Sequence, residues 1–355
     1  MTKPRIEYLD SLRGIAALMV VISHFLERTP LRDTWFLSHF NLGQFGVVIF
    51  FILSGMVIPY SLGDSKQAIK KFITSRFFRL YPAYWLSVLF AVLSAILFTD
   101  TIPEIKTIAF NLTMIQSLFN VPDLFGVYWT LIIELIFYAL CVLLFVSKLL
   151  HNIFCSLIIS VAMLLVASIA AYTRWQLEMK IPVAVPLAMS LMFFGVLWRE
   201  ATINDNKRAL NYSVVWICSF IVMLPVICFL AYSKNFGFSE NPIAYWATYT
   251  SALLFFLLFT SIIKIISRYL VFMGTISYSL YLLHQFFLEL ISSNTSIGSG
   301  FNLVYFCFYI TIVIVASTIS YFTIEKPSVK FCRNILNGQK IRYALTSTPH
   351  NKSRV

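Results

Sequence analysis

The chain has 355 residues, 59% of them hydrophobic and 12% charged, and its mean hydropathy is +0.82. A water-soluble domain of this size needs more polar cover, and the apolar residues fall in long blocks, so a polytopic helical membrane protein is expected. The net charge of +12 would suit a nucleic-acid binder, but the cations gather in short loops between apolar blocks, which signals membrane topology and leaves nucleic acid out of the expected partners.

In chain order, ten apolar spans are predicted at about 9–27, 41–60, 82–99, 128–147, 153–172, 182–198, 211–231, 243–263, 270–290 and 302–324. An all-α bundle of about ten transmembrane helices follows, with residues 1–326 as the membrane domain and 327–355 as a basic tail. No additional soluble domain, internal repeat or cleavable signal peptide is expected; Asp10 and Arg13 interrupt the N-terminus and no small-residue cleavage site follows. The cysteines, mostly inside apolar runs, show no disulfide or metal-ligand spacing and read as small hydrophobes, so no metal is expected.

Within the first span Arg13 and His24 stand eleven residues apart. That is close to three helical turns, so they share one face about 16 Å apart along the axis. Gly14 and Ala16 keep this helix slim enough for close packing. Ionisable groups in an apolar helix cost free energy and point to function. The competing reading is an interfacial Arg that snorkels and a His hydrogen-bonded to a neighbouring helix. Only Gly14 to Phe25 is free of strong charge, about 18 Å of helix, so Arg13 should sit beside solvent.

The second span contains Ser54 and Gly55, small residues that leave room for a helix or a ligand. Arg76 and Arg79 end the basic loop 61–81 just before the third span, where they fit either a polyanion or lipid headgroups. The segment 100–127, with its partly apolar Ile108 to Leu118, is expected to form a re-entrant or interfacial helix over the outer mouth. Just after Trp129, Thr130, Glu134 and Tyr138 make a polar stripe on the fourth span. Ser277, Tyr281 and His284 make another on the ninth. An intramembrane carboxylate must be protonated, paired or wet, and either stripe can equally be a set of packing hydrogen bonds. The tenth span closes on Glu325-Lys326-Pro327, where proline is expected to end the helix, and the polar tail beyond it to be partly disordered. Ten spans divide Lys and Arg 21 to 6 between the two sides, so both termini are expected in the cytoplasm.

Six ordered segments together resemble the acyltransferase-3 family of integral membrane acyltransferases. They are Leu9-Asp10-Ser11-Leu12-Arg13-Gly14 with His24; Gly46 to Ile58 around Phe50, Phe51, Ser54 and Gly55; Arg76-xx-Arg79-xx-Pro82-x-Tyr84-Trp85; Trp129-x-Leu131-xx-Glu134-xx-Phe137-Tyr138; Ile276 to His284; and Glu325-x-Pro327. Ser11 stands where the family often has Gly. The resemblance implies transfer of an acyl group, most often acetyl from acetyl-CoA, to a hydroxyl of a surface polysaccharide or glycolipid at a bacterial cytoplasmic (inner) membrane. It implies no metal. Catalytic roles then fall to His24, Arg13 and Glu134, donor binding to Arg13, Arg76 and Arg79, and acceptor binding to His284, Tyr281, Ser54 and Trp129. His24 fits a general base or a covalent acyl carrier, and Glu134 fits a group that orients or charge-balances an imidazole. Two other readings remain: a transporter or flippase of a lipid-linked sugar, with the buried ionisable groups as relay residues, and an accessory subunit without its own activity.

Overall fold

A computed structural model of the chain describes residues 6–346 apart from 64, 66, 100, 235, 237–239 and 296. Lys3, Arg5 and Lys66, which enter the charge count, and the tail beyond Thr346 lie outside the described residues. Fourteen α-helices follow in order: α1 (Glu7–Glu27), α2 (Trp35–His39), α3 (Leu42–Val57), α4 (Ala68–Phe98), α5 (Ile105–Asn111), α6 (Trp129–Val146) and α7 (Ile153–Leu177). Then come α8 (Ala184–Thr202), α9 (Lys207–Ala231), α10 (Pro242–Ser261), α11 (Arg268–Thr275), α12 (Ser277–Asn294), α13 (Leu303–Ser320) and α14 (Lys326–Thr346). Among the described residues nine helices are long and apolar enough to cross a membrane, and the bent pair α11–α12 makes a tenth. The protein is an all-α integral membrane bundle.

Small residues set how closely the central helices approach. A Cβ on Gly14 of α1 would strike the Leu270 carbonyl of α11, and one on Gly274 of α11 would strike the Asp10 backbone of α1. This two-sided contact needs glycine on both helices. The predicted ninth span is bent by 72° at the same place. Ser277 donates to the Gly274 carbonyl at 2.9 Å across the break, so α12 leaves in a new direction. The sequence shows one apolar run here because hydropathy carries no information about a bend.

Two prolines behave differently from expectation. The third span begins at Ala68, not near 82, so Arg76 and Arg79 lie on the helix itself. Pro82 cannot donate to the carbonyl of Phe78 four residues earlier, and Ser328 of α14 donates to that oxygen instead at 2.8 Å. Pro327 does not end the last helix. A π-helical turn at Tyr321–Glu325 shifts the register immediately before it, and α14 continues to Thr346. The first part of the basic tail is therefore helical.

The segment after α4 folds back into the bundle. Trp85 and Tyr81 of α4 donate to the carbonyls of Leu112 and Thr113, roughly 20 Å or more below the Phe98 end of α4 at 1.5 Å per residue. Its helix is Ile105–Asn111, shorter than expected. Buried Asn111 serves this irregular backbone, donating to Thr107 and Pro122 and accepting from Leu124 N–H. Such internal satisfaction lets non-helical chain enter a membrane protein's interior. α6 consequently starts deep in the bundle, with Tyr128 bonded to Ser87 of α4 at 2.8 Å.

Candidate active site

α1, α3, α6, α8 and α12 surround a cavity of about 70 Å³. Its polar lining includes Arg13, Ser54, Thr130, Glu134, Ser277 and Tyr281. Phe50, Phe51 and Met192 help form its apolar wall. The two polar stripes read from the sequence therefore face one another, with Arg13 of α1 between them. Arg13 and Glu134 are close enough to act on each other electrostatically, as are Arg13 and Asp10.

At the arginine-rich end, Glu134 accepts from the Tyr138 hydroxyl at 2.5 Å. Arg76 lies 5.3 Å over the Tyr138 ring and 5.4 Å over that of Phe72, and donates to Ser61 at 2.7 Å. The two rings and the Ser61 hydroxyl thus hold the Arg76 guanidinium. Arg79 is exposed and its charge reaches Arg13, Tyr138 and Glu325. Buried Glu325, turned inward by the π-helical segment, accepts from Ser279, which also bonds Ser320 at 2.9 Å.

At the other end of the same face two imidazoles meet. The rings of His24 and His284 stack with centroids 5.2 Å apart and planes 21° from parallel. His284 is fully buried and donates through Nδ1 to the Leu280 carbonyl at 3.1 Å, since a carbonyl can only accept. Its Nε2 is buried without a hydrogen-bond partner. His24 is 28% exposed, and its Nδ1 lies 3.1 Å from Oε2 of Glu27. Ser23 donates to Oε1 of the same carboxylate at 2.7 Å. Tyr281 connects the two ends. It lines the cavity, bonds Thr130 at 2.7 Å and the Val127 carbonyl at 2.8 Å, and its ring lies 6.1 Å from that of His284.

The structure thus brings Arg13, Ser54, Glu134 and Tyr281 to one cavity and His24 and His284 to one stack. Trp129 lies behind the cavity wall, edge-on to Phe51 at 6.4 Å. Glu134, expected to orient or charge-balance an imidazole, has its side-chain bond elsewhere. Glu134 is bound to Tyr138 on the Arg13 side, and the carboxylate at His24 is Glu27. Sequence reading passed over Glu27 because it stands at the end of the first span, where a charge looks like a helix terminus. Its i, i+3 spacing from His24 was the available signal.

Residues 6–322 match the model of the acyltransferase-3 family, described as an acyltransferase domain. The chain is 26% identical over 294 residues to ORF330 of Acidianus two-tailed virus, a protein carrying an acetyltransferase name, covering 80% of this chain and 83% of that one. It is 29% identical over 152 residues to the acyltransferase MdmB of Streptomyces mycarofaciens, covering 38% of each chain. No solved structure matches it.

Proposed function

The chain belongs to the acyltransferase-3 family, and on that premise we propose that it transfers an acyl group, most simply acetyl, from acyl-CoA to a hydroxyl of a glycan or glycolipid. The observation that carries the reading is a cavity holding Arg13 and Glu134 whose lining residue Tyr281 packs on His284, which in turn stacks on His24. CoA is a polyanion, and Arg79 and Arg13 offer it positive charge, with Arg76 as a fixed cation on the same helix as Arg79. The donor's long arm then runs along α1 toward His24.

His24 takes the proton of the acceptor hydroxyl on Nε2, and the oxygen attacks the thioester carbonyl carbon. The C–S bond breaks, and the imidazolium returns the proton to the thiolate. Buried Nε2 of His284 accepts a hydrogen bond from the acceptor, and Ser54 and Tyr281 line its approach. The division of Lys and Arg supports placing the arginine end and both termini in the cytoplasm, across a bacterial cytoplasmic membrane whose surface glycan is the acceptor. Residues 1–326 form the catalytic unit, and 327–355 form a basic cytoplasmic tail.

Purified protein incubated with labelled acetyl-CoA and a membrane glycolipid extract should label the glycolipid. Movement of glycolipid across vesicles without labelling would instead mark a transporter. Neither event would mark an accessory subunit. Reporter tags at both termini should read cytoplasmic, and an external C-terminus would remove the donor-side role of Arg76 and Arg79.

A further inference from the structure

We infer that Glu27, held by Ser23, is the positioning residue of His24 and decides which imidazole nitrogen is the base. The inference rests on the reading of His24 as base. An ionised carboxylate only accepts, so the proton between it and His24 sits on Nδ1, and Nε2 keeps its lone pair. Glu27 alone, 46% exposed and three residues away on one helix, would be an ordinary surface pair of little worth. Its surroundings give it a fixed geometry. Ser23, 2% exposed, occupies the other carboxylate oxygen, and the His24 ring is packed on His284. Both imidazoles are thus treated alike: the protein engages Nδ1 of each, with Glu27 for His24 and the Leu280 carbonyl for His284.

Neighbouring elements leave this pairing intact. Arg28, the residue after Glu27, is drawn to Glu289 of α12. α12 otherwise presents His284, α13 presents Tyr309, and α10 presents Tyr245. Glu134 is bound to Tyr138. Glu289, the carboxylate that α12 offers on this side, is taken up by Arg28.

The test uses full-length protein in nanodiscs with labelled acetyl-CoA and the glycolipid extract. Glu27→Gln keeps the shape but offers an amide that can hold the wrong tautomer. It should lower kcat ~100-fold, with KM for acetyl-CoA changed less than about twofold. Glu27→Ala should fall similarly and recover at least about tenfold on adding formate, because the site is open enough to admit a small carboxylate. Glu27→Asp should retain more activity than either. A fully active Glu27→Gln beside an inactive His24→Ala would overturn the positioning role alone. Loss of activity without formate rescue, accompanied by a lower melting temperature, would make Glu27 structural and also overturn it. An active His24→Ala would instead remove the base assignment on which the inference stands.

Discussion

Arg13 and Arg174 are both arginines set in apolar helices, and the two halves of the bundle treat them in opposite ways. Arg174 of α7 donates to both oxygens of Glu240 at 2.6 and 2.7 Å, with the rings of Tyr232 and Phe236 packed on its guanidinium. Farther along the same helices polar groups also close on one another: Trp216 donates to Ser190, which donates to the Ser160 carbonyl, and Trp198 donates to Thr260. Arg13 instead faces a cavity, and Glu134 opposite it accepts from Tyr138. A buried charge that the protein neutralises itself serves the fold, whereas one turned toward open space awaits a ligand. Substitutions in the first half should therefore cost stability, and those in the second should cost turnover.

The largest effect tests the open half. His24→Ala should reduce transfer by ~1,000-fold or more while the protein still elutes as a folded species from detergent size exclusion, since the Glu27 carboxylate left behind is 46% exposed and keeps its bond from Ser23. Inserting one Ala between Leu18 and Met19 gives a sharper version. It rotates His24 and Glu27 together by about 100° away from His284 and moves them only about 1.5 Å along the axis. Activity should fall nearly as far as in His24→Ala, although the Glu27 contact survives. An active insertion variant would dissolve the idea of one shared face.

The closed half gives the converse. Glu240→Ala leaves Arg174, 7% exposed, without its counter-ion, and should destabilise the protein by roughly 3–5 kcal/mol, read as a lower melting temperature in detergent. Turnover per folded molecule should stay within about twofold of the parent protein. A selective loss of kcat at unchanged stability would place Arg174 in the chemistry and erase the contrast.

Much of this was legible in the sequence. The helical class, the shared face of Arg13 and His24, and the stripes through Glu134 and His284 follow from hydropathy and the 3.6-residue period. What escaped depended on contacts distant in sequence. Gly274 reveals the bend only once Asp10 of α1 lies against it. Pro82 looks like a helix start until Ser328, far along the chain, is seen to serve the Phe78 carbonyl. Glu27 gained meaning from the neighbours that hold it, Ser23 within its helix and His284 behind His24.

A smaller effect probes the cationic end. Arg79→Gln should weaken acyl-CoA binding about tenfold or more, because it removes charge-assisted contacts worth roughly 1.5–3 kcal/mol each. Arg76→Gln should weaken it too and also lower the melting temperature, since this guanidinium is bonded to Ser61 and packed on Tyr138. Isothermal titration with CoA separates the two. Equal, unchanged affinities would return both arginines to headgroup anchoring.

The smallest effect asks whether the open half also closes a polar group when no ligand needs it. Pro82 frees the Phe78 carbonyl, and Ser328 of α14 covers it at 2.8 Å. Ser328→Ala should cost about 0.5–1.5 kcal/mol, the net value of one such bond, while the Phe78–Phe331 ring contact at 5.7 Å persists. In a Pro82→Ala background residue 82 regains an N–H that can bond Phe78 itself, so the same Ser328→Ala change should cost almost nothing. Melting temperatures of the four proteins close the cycle. If Ser328→Ala costs the same in both backgrounds, the freed carbonyl is not what draws α14 onto α4.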